Sequence, residues 1–269
     1  MAKDLDALVE QARAGSRQAL ESLIFRVKDQ VYGLAMRMLA EPADAQDATQ
    51  EILVKLITKL DTFRGDSAFT TWVHRVASNH LLDVRKGRRP AAGFDELAHL
   101  LDAELAAAAG QPEATDRVLI DEVKLFCSHG MLLCLDRPHR LAYVLGEVME
   151  LGGDAGARIL GISPAAFRKR LSRARQSMEA FMRPRCGLVD PSNPCACAKM
   201  VAGAQRLGLV AEERLRFANH PTVDARRMSL EIDRLRTAAE VFRSHPDYET
   251  PEAFDAALRA TLEGVAAHD

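Results

Sequence analysis

Aromatic residues are scarce, 5% of the 269 positions with a single Trp, and a large sheet would want far more aromatic and β-branched side chains on its faces. Leu, Ala, Arg and Glu are abundant instead, so an all-α protein is expected. No apolar run approaches the ~20 residues that cross a bilayer, and the opening MAKDLDALVEQ has no apolar stretch of the kind a secretory signal carries. Five cysteines make neither an even set nor a disulfide framework. These absences lead to the expectation of a soluble protein of the reducing cytoplasm. Net charge is lacking too: 36 Lys+Arg against 38 Asp+Glu leave −2, a total that announces neither a nucleic-acid nor a membrane-surface partner. No phosphate loop, nucleophile motif or paired-carboxylate pattern is present, and lone histidines such as His74 and His139 do not supply one, so an enzyme is not expected. With 48% hydrophobic residues the chain can still bury a sizeable core, divided into two or three units.

What is there is helical periodicity. Leu20, Leu23, Ile24, Val27, Val31, Leu34, Ala35 and Met38 follow a three-and-four spacing that predicts one stripe on a long helix. Glu41-Pro42 breaks it, and a second helix opens at Asp44, with Ala48, Ile52, Leu53, Leu56, Ile57 and Leu60 on one side and Asp44, Asp47, Gln50 and Glu51 on the other. After the turn Phe63-Arg64-Gly65-Asp66-Ser67, a third helix carries Phe69, Trp72, Val73, Val76, Ala77, Leu81 and Val84. Residues 1–89 read as one helical domain. Residues 90–116 read as a linker with formal charge −6. Helices follow near Arg117–Leu135, Pro138–Glu150 and Asp154–Leu160; then Gly161-Ile162 turns, Ser163 suits an N-cap and Pro164 suits the first position of a helix running to about Phe181. That succession, within residues 117–182, has the form of a helix-turn-helix. Residues 183–269 form a further extension, turn-rich at first, then with a near-heptad stripe at Met228, Ile232, Leu235, Ala239 and Phe242 and a last amphipathic helix over Pro251–Ala267.

Taken segment by segment, the charge is far from bland. Arg64 to Arg89 carries a local +4, ending in Arg85-Lys86-Gly87-Arg88-Arg89, and Phe167 to Arg185 carries +6. Either patch alone fits a solvated helix face. Two of them on separate helical domains, joined by an acidic linker, suit a protein that grips DNA at two places. The second patch follows a Gly-Ile-Ser-Pro turn, where early side chains of a recognition helix meet base edges and later arginines meet phosphates.

Two motif blocks carry a family resemblance. The first runs from Asp44-Ala45-Gln46-Asp47-Ala48-Thr49-Gln50-Glu51 through Phe63-Arg64-Gly65-Asp66-Ser67-Ala68-Phe69-Thr70-Thr71-Trp72-Val73 to Ala77-Ser78-Asn79 and Asp83. The second is Ile159-Leu160-Gly161-Ile162-Ser163 with Phe167-Arg168-Lys169-Arg170-Leu171-Ser172-Arg173-Ala174-Arg175. Over about residues 5–182 the chain resembles bacterial RNA polymerase sigma factors of the extracytoplasmic-function group. The resemblance implies an all-α sigma-two domain, a linker, a sigma-four helix-turn-helix domain and, here, a helical C-terminal extension. It implies promoter-specific transcription initiation with core RNA polymerase and promoter DNA as partners, and makes an anti-sigma factor a candidate third partner. Asp44, Asp47, Gln50 and Glu51 would dock on the polymerase. The stretch from Arg64 to Thr71, including Thr70, with His74, Arg75 and Asn79, would hold the opened minus-ten strand, while Trp72, Phe69 and Val73 serve as core. Ser163, Ala166, Arg168 and Lys169 would face minus-thirty-five base edges, with Arg170, Arg173 and Arg175 nearer the backbone.

The extension holds Cys186, Cys195 and Cys197 in a Pro/Gly/Asn-rich loop, while Cys127 and Cys134, with His129, precede it. Soft thiols at close spacing suit Zn²⁺ or Cu⁺, with the fourth ligand a His or one of the earlier cysteines. The same loop also fits thiols without a metal role, and Cys127 and Cys134 fit core positions. Regulation in cis is the expectation for this extension. The alternative is a polymerase-independent helix-turn-helix regulator with a metal- or redox-sensing tail, against which the Asp44–Asn79 block argues.

Overall fold

The computed structural model describes residues 2–84, 93–211, 213, 215–217 and 237–265. Among them every regular element is helical, and the lone β feature is an isolated bridge between Cys186 and Cys195. In order these are α1 (Ala2–Arg13), α2 (Arg17–Leu39), α3 (Pro42–Thr58), a 3₁₀ turn at Leu60–Thr62, α4 (Phe69–Asp83), α5 (Phe94–Ala107), α6 (Arg117–Cys134) and α7 (Arg137–Tyr143). A π-helical turn over Val144–Val148 continues α7, followed by α8 (Gly153–Leu160), α9 (Pro164–Met182), α10 (Cys197–Arg206), α11 (Ala238–Arg243) and α12 (Glu252–Val265). The chain divides into two compact units: residues 1–85, 154–164 and 248–269 make the first, and residues 86–153 and 165–247 the second. The helix-turn-helix segment read from sequence is thus divided, α8 grouping with the first unit and α9 with the second.

In the first unit, Ser16 caps α2 by accepting from the Ala19 N–H at 3.3 Å. The helix ends at Ala40, held left-handed at φ 55°, and Pro42 starts α3 at its first turn, where a missing N–H costs nothing. Leu23, Ile24, Val27, Val31, Leu34 and Met38 of α2 are buried with Ile52, Leu53 and Leu56 of α3 and Phe69, Val73, Ala77 and Leu81 of α4. Each large side chain sealed this way contributes about 1.5–3 kcal/mol. Helix α12 lies on another side of α2. Arg259 spans Phe25, 4.4 Å from its ring centre, and reaches Glu21 at 2.5 Å. Lys28 meets Thr250 and Asp255, and Tyr248 packs under the Arg37 guanidinium at 5.1 Å.

The second unit is built around α6. Asp116 caps its start, accepting from the N–H groups of Val118 and Leu119. Its end is closed by the buried Arg140, which donates to the carbonyls of Leu132, Leu133 and Leu135 at 2.8–3.1 Å and so meets the negative pole of the helix. Leu119 and Val123 pack with Met200, Val201 and Val210, and Leu101 and Leu105 of α5 join them. The fully buried Glu122 accepts from the backbone N–H groups of Arg216 and Phe217 at 2.8 and 2.9 Å. His129 stacks between Phe217 and His245, whose Nε2 lies 2.7 Å from the Ser128 hydroxyl.

The acidic segment at 90–116 therefore contains a helix, α5, whose Glu104 pairs with Arg206 of α10. Helix α1 is an addition to the sequence reading. Of the near-heptad stripe, Met228, Ile232 and Leu235 lie outside the described residues, as does the basic run at 85–89; Ala239 and Phe242 lie on α11.

Candidate nucleic-acid interface

Helix α4 presents two contrasting faces. Phe69, Val73, Ala77 and Leu81 point into the core. Phe63, Phe69 and Trp72 make an aromatic cluster with centroids 5.4–5.8 Å apart, which fixes the loop carrying Arg64 against the start of the helix. Trp72 itself stays half-buried. Arg64, Arg75 and Asn79 are exposed, and Thr70 and Thr71 are half-exposed. Gly65 in that loop has φ 77°, a left-handed turn that glycine adopts freely. Within the first unit Thr71 and Arg75 also border a groove of about 420 Å³ that includes Arg158 and Gly161.

His74 corrects the sequence expectation. Its ring is buried on the core side of α4, and burial lowers its pKa, so it is a neutral packing residue rather than a cation offered to a strand. The i+3 and i+4 register from Ser78, Ala77 and Leu81 carries this signal in the sequence.

On α3, Asp47, Gln50 and Glu51 are exposed and Asp44 is half-buried, all opposite Ala45, Ala48, Ile52 and Leu56. The acidic face is therefore real and accessible at three of its four positions. Glu51 lies 3.6 Å from His80 Nε2.

The turn before α9 closes α8 by a Schellman motif: Gly161, at φ 62°, donates to the Arg158 carbonyl at 3.3 Å, and Ile162 donates to the Ala157 carbonyl at 3.1 Å. Helix α9 then begins at Pro164. Phe167, Leu171, Ala174 and Met178 are buried, and Gly146 makes room for Leu171, whose Cδ2 would stand 2.6 Å from any Cβ there. This leaves Ser163, Arg168, Lys169 and Arg173 exposed, with Ala166 and Arg170 half-exposed. Arg175 is different. It forms an ion pair with Glu147, which also pairs with Arg243 of α11. Glu147 is largely buried, so Arg175 is committed to the domain and orients α9 rather than reaching for a backbone phosphate.

Cys186, Cys195 and Cys197 come together, with Cys127 of α6, around one cavity. Among the described residues no three His, Cys, Asp or Glu side chains stand close enough to hold a metal ion. No described helix is long and apolar enough to cross a membrane.

Residues 23–90 match the Sigma-70 region 2 family. The RNA polymerase sigma-H factor of Pseudomonas aeruginosa is 31% identical over 190 residues, covering 66% of this chain and 93% of that protein. The ECF RNA polymerase sigma-E factor of Escherichia coli is 28% identical over 179 residues, with 66% and 93% covered. Among solved structures, CnrH in complex with the cytosolic domain of CnrY aligns at 25% identity over 66% of this chain and 96% of that one, with a TM-score of 0.44.

Proposed function

Because the chain belongs to the extracytoplasmic-function group of RNA polymerase sigma factors, we propose that it binds core polymerase in the cytoplasm and directs initiation at its own set of promoters. The observation that carries this is the pairing of two exposed basic faces, Arg64, Arg75 and Asn79 by α4 and Arg168, Lys169 and Arg173 on α9, each backed by a fully buried apolar stripe. A rigid helix with a solvated cationic face is what strand capture and groove reading both need.

The division of labour follows from the side chains. Unpaired bases expose hydrogen-bonding edges, so Asn79 with Thr70 and Thr71 suits a flipped base of the minus-ten strand while Arg64 and Arg75 meet its phosphates. Opening the duplex costs a few kcal/mol of unstacking, which capture of the single strand offsets; no catalytic group takes part. Ser163, Ala166, Arg168 and Lys169 at the start of α9 suit major-groove base edges of the minus-thirty-five element, with Arg170 and Arg173 along the backbone. Asp47, Gln50 and Glu51, with Asp44, supply an acidic face for the polymerase. The extension regulates this activity in cis. Its support is that Glu122, Glu147 and Glu179 of the helix-turn-helix half all bond to extension residues.

Run-off transcription with purified core polymerase, with start sites mapped genome-wide, tests the reading. Arg168→Ala with Lys169→Ala should change the upstream-element preference, whereas Asn79→Ala should change the opened element. Identical start sites for both variants, or no transcription dependent on the protein, would overturn it.

A further inference from the structure

The turn joining α9 to α10 brings two cysteines together through its backbone. Cys186 and Cys195 pair in a parallel β-bridge, with the Gly187 N–H donating to the Cys195 carbonyl at 2.8 Å. A Cβ at Gly187 would stand 2.6 Å from that oxygen, so only glycine allows the two segments this approach. The loop between them is pinned from inside. Asn193 Nδ2 donates to the carbonyls of Arg183 and Cys186 at 2.8 and 3.1 Å, and Asp190 accepts from the Ser192 N–H and hydroxyl at 2.9 and 2.8 Å. The Cys186 carbonyl also accepts from the Val189 and Asp190 N–H groups at 3.1 and 3.0 Å.

Bridged chains lie about 4.7–4.9 Å apart, and a disulfide spans Cα separations of about 4.4–6.8 Å. The backbone therefore already holds Cys186 and Cys195 at bonding range, while both remain free thiols. Each is half-buried, which leaves a small reagent access to it. Cys197, two residues on, belongs to α10.

We propose that Cys186 and Cys195 join in a disulfide when the protein meets a low-molecular-weight disulfide, and that this bond is a reversible redox staple on the C-terminal extension. Disulfides of cytosolic proteins are usually transient and catalytic or redox-sensing. The chemistry is two successive exchanges. The Cys186 sulfur loses its proton and attacks one sulfur of the reagent; the reagent S–S bond breaks, and the departing thiolate takes up the proton. Cys195 then loses its proton and attacks the Cys186 sulfur, expelling the second thiolate, which is protonated in turn. The protein loses two hydrogens and the reagent is reduced to two thiols. Cys186 is the attacking group: burial raises its thiol, but backbone hydrogen bonds from Leu188 and Val189 oppose that rise, whereas burial pushes Cys195 up to about 11. Closing residues 186–195 into a ring restricts the open states of the turn. Met200 and Val201 of α10, which pack with Leu119 and Val123 of α6, are then held more firmly. The inference goes beyond the role in initiation and does not rest on it.

The test is incubation of the reduced full-length protein with excess oxidised glutathione, without polymerase, so that its failure leaves the sigma assignment standing. Thiols titrated in denaturant should fall from five to three, with a mass lower by two hydrogens and no glutathione retained. Endoproteinase cleavage before Asp190 separates Cys186 from Cys195, and the two fragments should stay joined until dithiothreitol is added. Cys134→Ser and Cys197→Ser should form the link, and Cys186→Ser and Cys195→Ser should not. Amide exchange in α10 should slow by about tenfold or more on oxidation. Circular dichroism checks folding, and alanine at either position is the second variant should serine disturb it. Five thiols after oxidation, a glutathione adduct with no internal link, a link that survives Cys195→Ser, or equal α10 exchange in the two states would each overturn the proposal.

Discussion

Lys28→Met tests how α12 is held on α2. The Lys28 ammonium meets Thr250 Oγ1 at 2.6 Å, Asp29 Oδ1 at 3.0 Å and Asp255 Oδ1 at 3.1 Å, on a side chain only 10% exposed. Methionine keeps the hydrocarbon stem and removes only the charge. Hydrogen bonds to charged groups are worth about 1.5–3 kcal/mol. However, Asp29 and Asp255 retain 39% and 35% exposure, and water can take over part of their solvation. The expected loss is therefore about 1–2 kcal/mol, short of the about 3–5 kcal/mol that severing a fully buried pair costs. For a unit of this size that lowers the melting midpoint by about 3–6 °C per kcal/mol. The assay is thermal and urea unfolding of wild type, Lys28→Met, Asp255→Asn and the double variant, from which the cycle should return a coupling of about 1 kcal/mol. Burial alone would lower the Lys28 pKa, but the Asp29 and Asp255 carboxylates outweigh it and raise it above 10.5. A raised folded-state value keeps this increment intact below 10.5 and removes it as pH climbs through the higher value, so only the variant lacks that alkaline loss. An unchanged midpoint in Lys28→Met, or strictly additive effects in the cycle, would refute the reasoning.

Two other expectations concern buried polar groups. Glu122→Ala removes the carboxylate that accepts from the Arg216 and Phe217 amides, and should cost about 1–3 kcal/mol; amide exchange at those two positions should accelerate while that of α2 does not, and equal exchange in both proteins would count against it. His74 is held neutral by burial, with its pKa lowered below 6.5, so its share of stability is present above 6.5 and lost as pH falls through the folded value. Urea midpoints of His74→Leu should accordingly fall less on acidification than those of wild type, and parallel pH profiles would dismiss the assignment.

Much of the fold could be read along the chain because its signals are local. The stripe from Leu23 to Met38, the break at Pro42 and the start of α9 at Pro164 each rest on neighbours within a turn or two. Helix α5 carries the same kind of signal in Leu97, Leu101 and Leu105, but the six acidic residues of 90–116, with no basic ones, give that segment the character of a linker. The exposed basic residues of α4 and α9 were legible as the complement of their apolar stripes. What escaped was set by distant partners. The commitment of Arg175 depends on Glu147, 28 positions earlier. The convergence of Cys127 on the extension thiols, the Glu122 anchor and the Lys28 contacts join segments too far apart in sequence for any periodicity to register. The grouping of α8 with the first unit is likewise a property of packing alone.

The clasp between α2 and the segment after Tyr248 joins residues 222 positions apart. On the ribosome these are not contemporaries. At 5–20 residues per second, Thr250 emerges ~10–45 s after Lys28. During that interval the nascent α2 has no Asp255 beside its lysine and no Arg259 over Phe25. The polymerase-directed half of the molecule thus exists first in an unlatched form, and translation itself sets how long that form lasts.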